Sequence, residues 1–135
     1  MSQKMIDDVN IQLYDLIDQT KAELSELNQN KQLVINGPDS QLIQRGLDIS
    51  YLQGQKQAID TISSLIEQHP SERDFLEKYT EYAQKTSQAF EKSNLEFKMM
   101  SIPTQDFNVF LGQHYRLKGT QTVIASINST VKKYF

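Results

Sequence analysis

Only a few residues in this chain are of types that do chemistry. His69 and His114 are its two imidazoles, and it contains no cysteine. Neither histidine has a carboxylate or a second histidine three or four residues away on the same helix, the spacing that places two metal ligands side by side. Glu67-Gln68-His69 also lacks the Glu-x-x-His spacing of di-iron helical bundles. The paired acids Asp7-Asp8, Asp15 with Asp18, Glu23 with Glu26, and Glu77 with Glu81 supply carboxylates for acid–base work. Such work needs two unlike environments that push the pKa values apart. These pairs fall on helix faces that the periodicity assigns to solvent, so they read as hydrated surface. Asn36-Gly37-Pro38 has one glycine, and a proline where a phosphate cradle needs backbone N–H donors. The sequence therefore points away from an enzyme, a metal site and a cofactor.

The elements that position these residues are helical. Pro38, Pro70 and Pro103 divide the 135 residues into four segments of about 32. Each proline precedes small polar or acidic residues that start helices, because its fixed φ suits a first turn and its missing N–H is not needed there. Ser71 and Asp74 have capping-box-like spacing. Between the prolines, apolar residues recur at three and four. The first stripe runs Ile6, Leu13, Ile17, Leu24, Leu27, with Asn10 and Thr20 in its polar gaps. That helix ends near Asn30, and the Leu33-Val34-Ile35 trio of the next connector is expected to tuck against the bundle. A second helix covers about 40–68. The third carries Phe75, Tyr79, Tyr82, Thr86, Ala89 and Phe90, and fades into an apolar connector, Phe97 to Ile102. The fourth runs from Phe107 through Phe110, His114, Leu117, Gln121, Ile124, Asn128 and Val131 to Phe135. The expected fold is all-α, a single domain of two related αα-hairpins, about 4–68 and 71–135, packed as a helical bundle.

The second and fourth helices share a pattern. Leu52-x-Gly54-x-x-x-Ala58-Ile59-x-x-Ile62 matches Leu117-x-Gly119-x-x-x-Val123-Ile124-x-x-Ile127 at an offset of 65. Tyr14 and Tyr79 coincide at the same offset. A glycine inside a helix costs about 1 kcal/mol relative to alanine, so two at equivalent positions call for a reason. Close packing of a neighbouring helix supplies one, with Gly54, Ala58, Gly119 and Val123 as the packing residues; the alternative is that the glycines open the backbone to a ligand or mark a kink.

His114, Gln121 and Asn128 fall seven apart on the fourth helix, beside Phe110, Leu117, Ile124 and Val131. The simpler reading turns this polar edge to solvent, while Leu111, Val123 and Ile127 widen the core. The other is a polar layer that sets register or oligomeric state, which makes the three candidate partner-interface residues. Phe97, Met99, Met100 and Ile102 join them, because an exposed connector of this composition is an adaptable apolar contact surface.

Charge is uneven along the chain. Residues 1–67 carry 5 basic and 10 acidic side chains, and residues 68–135 carry 9 and 7. Arg116, Lys118, Lys132 and Lys133 are the candidate nucleic-acid contacts, but they fall short of a binding stripe. The aromatics beside cations, Tyr79 and Tyr82 with Lys78 and Lys85, lie on the buried stripe. No apolar run approaches the roughly 20 residues that span a bilayer, and the N-terminus has no signal-peptide core. With no cysteine, the expected setting is the cytoplasm.

Tyr51-Leu52-Gln53-Gly54-Gln55-Lys56-Gln57-Ala58-Ile59 resembles a Y-L-x-G-x-x-x-A-[IL] pattern of small helical proteins from tailed bacteriophages. The resemblance spans a small part of the chain. It implies a phage or mobile-element origin, where small helical proteins act by binding, as virion assembly parts or as inhibitors of a host protein. The expected function is therefore non-enzymatic protein–protein interaction, with a host or viral partner or with copies of itself. The alternative is a nucleic-acid-associated accessory protein that uses the basic fourth helix.

Overall fold

The computed structural model describes residues 3–29, 37–100 and 106–134. Among them are four helices and no strand: α1 (Lys4–Gln29), α2 (Asp39–Gln68), α3 (Glu72–Met99) and α4 (Phe107–Lys132). The Leu33-Val34-Ile35 trio and Ile102 lie outside the described residues. Two of the prolines stand at helix starts as expected. Pro38 immediately precedes α2, and His69-Pro70-Ser71 separates α2 from α3. Ser71 Oγ accepts the Asp74 N–H at 3.1 Å, which satisfies one of the first-turn donors that the helix leaves unpaired.

Contacts between the helices fix their directions. In the first hairpin Thr20 meets Gln55 at 3.2 Å, and Arg45 Nε donates to the Leu27 carbonyl at 3.1 Å, so α1 and α2 are antiparallel. In the second, Tyr79 donates to Asn128 and Ser93 pairs with His114, so α3 and α4 are antiparallel too. Helix α1 also runs against α4. Gln12 Nε2 donates to the Ser126 carbonyl at 3.1 Å, Thr130 donates to Gln12 Oε1, and the Tyr134 hydroxyl donates to Asp8. Helices α2 and α4 therefore run in the same sense, as the central pair.

That pair crosses at the two glycines. A Cβ on Gly54 would lie 1.9 Å from the Arg116 carbonyl oxygen, and one on Gly119 would lie 1.9 Å from that of Tyr51. Tyr51 and Arg116 are themselves 65 apart, so the two contacts are the same contact made twice, related by an approximate two-fold. Thr120 Oγ1, 3.1 Å from the Gly54 carbonyl, seals the crossing. Below it, Ala58, Ile59, Ile62 and Ile66 of α2 meet Val123, Ile127 and Val131 of α4. Met5, Val9 and Leu13 of α1 and Phe75 and Tyr79 of α3 complete one core shared by all four helices. Each large apolar side chain buried there contributes roughly 1.5–3 kcal/mol.

The repeat extends to the outer helices, but in a different register from the one the tyrosines suggest. Burial in α1 and α3 superposes at an offset of 66: Val9 on Phe75, Leu13 on Tyr79, Leu16 on Tyr82 and Ile17 on Ala83. At 65, buried Val9 and Leu13 would fall on exposed Asp74 and Lys78. The match of Tyr14 with Tyr79 is thus not structural, since Tyr14 is 70% exposed and Tyr79 only 2%.

Candidate interaction surface on the second hairpin

The last turns of α3 and the first of α4 form the free end of the second hairpin. Phe97 and Met99 belong to the final turn of α3 and not to a connector, and Met100 caps it through a backbone bond to the Phe97 carbonyl at 3.3 Å. Helix periodicity then separates what a connector would have pooled. Phe97 turns toward α4 and stacks on His114, with ring centroids 5.4 Å apart, and on Phe110 at 6.2 Å. Phe90 also stacks on the imidazole at 5.8 Å, and Tyr115 meets it edge-on at 6.0 Å.

Leu95 and Met99, one turn apart on α3, point outward and are 58% and 74% exposed. Val109, near the start of α4, is exposed as well. The free end therefore carries stacked rings on the side facing α4, with Phe97 still 44% exposed, and aliphatic side chains further out. Of the expected interface set, Met99 is fully presented, Phe97 is partly turned inward and Met100 is half-buried. Leu95 and Val109 were missed in the sequence because neither lies on the connector. A four-residue ridge that joins Leu95 to Met99 is the signal that would have found them.

The polar heptad residues are not turned to solvent, which corrects the simpler reading of the sequence. His114 is 3% exposed, and its Nδ1 shares a hydrogen bond of 2.7 Å with Ser93. Asn128 accepts from the Tyr79 hydroxyl at 2.5 Å, and that hydroxyl also lies 3.2 Å from the Ile124 carbonyl. Gln121 stands between them, with its Nε2 buried and without a hydrogen-bond partner. The three line the seam with α3, because α4 is central and is covered on two sides: its 119-123-127 face by α2 and its 114-121-128 edge by α3. His114 and Asn128 bond to Ser93 and Tyr79 of α3, so this edge packs within the hairpin.

Burial, with the nearby Lys118 ammonium adding to it, holds the His114 imidazole below its ordinary pKa. Burial likewise pushes the Tyr79 phenol far above the ordinary tyrosine range. Ser93 and His114 have the separation of a nucleophile and its base, but an acyl-transfer site also needs a group that orients the base and donors for an oxyanion. Aromatic rings surround the imidazole instead. No group of three or more His, Cys, Asp or Glu side chains suited to a metal occurs among the described residues.

The basic residues are dispersed. Arg116 and Lys118 are two positions apart and project from different sides of α4, with Lys118 Nζ 4.7 Å above the Tyr115 ring. Lys132 and Lys133 lie roughly 24 Å further along the helix. Most of the acid pairs are exposed, as expected. Asp8 is the exception: it is half-buried and accepts from Tyr134, and that bond raises the tyrosine's pKa. No described helix is long and apolar enough to cross a membrane.

The fold and this surface define an all-α bundle of two hairpins with an apolar free end. No known protein family, curated protein or solved structure compared with the chain matches it.

Proposed function

We propose that this chain is a non-enzymatic interaction protein that presents the outer ridge of its second hairpin to a protein partner. The observation that carries this reading is the split at the end of α3. Phe97 rests one face on the ring cluster around His114 and keeps 44% of its surface open, while Leu95 and Met99 stand further out on the same helix. Large apolar side chains fixed in the open are the usual anchors of a protein contact. A host or viral partner fits the phage-like Tyr51–Ile59 string. That string lies on the α2–α4 crossing, so it bears on packing and leaves the contact surface to other residues. A cytoplasmic setting rests on the lack of cysteine.

The test is solution mass by light scattering after size exclusion, for the wild type and for the double variant Leu95→Ser with Met99→Ser, followed by binding to candidate partners. Loss of a partner or of self-association in the variant, with the thermal melt unchanged, supports the reading. Retention of every interaction in the variant defeats it. The nucleic-acid alternative predicts binding that weakens steeply between low and physiological salt, whereas an apolar contact barely responds.

A further inference from the structure

The approximate two-fold allows the hairpins to be compared position by position, and at one place they differ. In the second hairpin Tyr79 lies across the space between α3 and α4, and its hydroxyl donates to the Ile124 carbonyl and Asn128. The equivalent residues of the first hairpin are Leu13, Ile59 and Ser63. Leucine is shorter and carries no hydroxyl, and an open groove of about 380 Å³ lies between α1 and α2 there, with the core residues Leu13 and Ile59, 3% and 2% exposed, as its floor and Ile17, Ser63 and Ile66 along its walls. Its volume is within the range of clefts that take small ligands, about 300–1,000 Å³. Tyr14 forms part of the rim and is 70% exposed, with Ile11, 62% exposed, a turn away.

We propose that this groove docks an aromatic side chain, of tyrosine type, carried by a lysine- or arginine-bearing segment of another protein. The aromatic character follows from the second hairpin, which fills the same space with its own tyrosine and offers that hydroxyl a backbone carbonyl and a polar side chain. Ile59 and Ser63 supply the same two kinds of group. The basic character follows from the perimeter. The charged lining residues are Asp60 and Glu67, and Glu67 stands at the C-terminal end of α2, where the helix dipole adds negative potential. Asp7 and Asp18 flank Ile11 and Tyr14 by one turn on the same side of α1. Lys56, paired with Asp60 at 2.7 Å, and Lys21, one turn beyond Asp18, offset part of this charge, and Glu67 and Asp7 remain.

Charge also decides against the obvious competitor, a second copy inserting its own Tyr14. Two antiparallel α1 helices meeting at Ile11 and Tyr14 would set Asp7 of each against Asp18 of the other, and like charges so placed are repulsive. The groove lies on the first hairpin, apart from the Leu95–Met99 ridge, so failure of either surface leaves the other standing.

The experiment is titration of the full chain with three phenols of the same ring and different charge: tyramine (cationic), p-cresol (neutral) and 3-(4-hydroxyphenyl)propionate (anionic). Methyl NMR of Leu13, Ile17, Ile59 and Ile66 is the readout. We expect shifts confined to these methyls, with tyramine bound about fivefold more tightly than p-cresol and the propionate more weakly still. Leu13→Tyr with Ser63→Asn rebuilds the Tyr79–Asn128 arrangement, closes the groove and removes binding. Should that variant fail to fold, Asp60→Lys with Glu67→Lys, both at exposed positions, reverses the order of the three phenols. Absence of shifts in these methyls, or equal binding of cation and anion, overturns the proposal. A concentration-dependent dimer abolished by Tyr14→Ala also overturns it, in favour of a second copy.

Discussion

The two hairpins begin from nearly the same plan and spend their side chains differently. Each has an outer helix antiparallel to a central one, and each contributes one glycine to the crossing. The second hairpin fills the position of the first hairpin's groove, and a groove further out, between Ser93 and Leu117, is smaller at about 200 Å³. Tyr79 spans the filled position, Ser93 and His114 pair across the seam, and four aromatic rings pack around the imidazole further out. The first hairpin stays open. Leu13 leaves its groove unfilled, and beyond Thr20 in α1 and before Leu52 in α2 no described residue is fully buried. A shared backbone plan thus leaves each half free to specialise, because whether a groove is filled depends on one side chain. In the second hairpin the surplus apolar surface sits at the tip, and in the first it lies along the flank.

The most severe way to break this comparison is to add a methyl at the crossing. Gly54→Ala or Gly119→Ala sets Cβ against a backbone carbonyl that no rotamer change can move, so the central helices must separate. Each substitution should cost about 3 kcal/mol in urea unfolding. The double variant should cost less than the sum, because the first separation relieves the second clash. Costs below the helix-propensity gain of alanine would show that the crossing is looser than described.

Tyr79→Leu makes the second hairpin resemble the first. It removes the bonds to Asn128 and Ile124 and opens a groove, at an expected cost of about 2 kcal/mol. The pair Tyr79→Leu with Asn128→Ser should recover part of that, by removing the stranded amide. If the single variant is neutral, Tyr79 does not fill the space that Leu13 leaves open.

Gly46 is the internal control for the crossing glycines. A Cβ there meets nothing within 4 Å. Gly46→Ala should therefore raise stability by about 0.7 kcal/mol, from helix propensity alone.

The smallest effect is on pH dependence. The folded state holds His114 below its ordinary value of 6.5, so the unfolded chain takes up the proton first as pH falls. The stabilisation from the neutral imidazole is complete above that value and is lost as pH drops from it toward the folded pKa. His114→Asn should flatten the fall in melting temperature between neutral and mildly acidic pH relative to wild type. An unchanged slope would mean that His114 stays hydrated.

Much of the fold was legible in the sequence. Three-four periodicity gives all four helices, and Pro38 and Pro70 mark the starts of two of them, because both signals act within a single turn of chain. Ser71 caps the Asp74 N–H as the spacing implies, for the same reason. Gly54 and Gly119 announce close helix packing because nothing local justifies a glycine inside a helix, but that the two helices cross each other there came from the structure. Candidate surface residues were less legible. Met99 is exposed, but on the last turn of α3 and not on a connector, Leu95 and Val109 do not announce themselves, and Phe97 is shared between solvent and the His114 rings.

What the tertiary structure alone decided is which way a face points. His114, Gln121 and Asn128 carry the same polar pattern whether they meet water or a neighbouring helix, and only the central place of α4, covered by both α2 and α3, buries their edge. Tyr14 and Tyr79 look equivalent along the chain, but burial aligns the outer helices one residue differently. On a helix one residue is a rotation of about 100°, enough to carry one tyrosine into the core and leave the other on the surface.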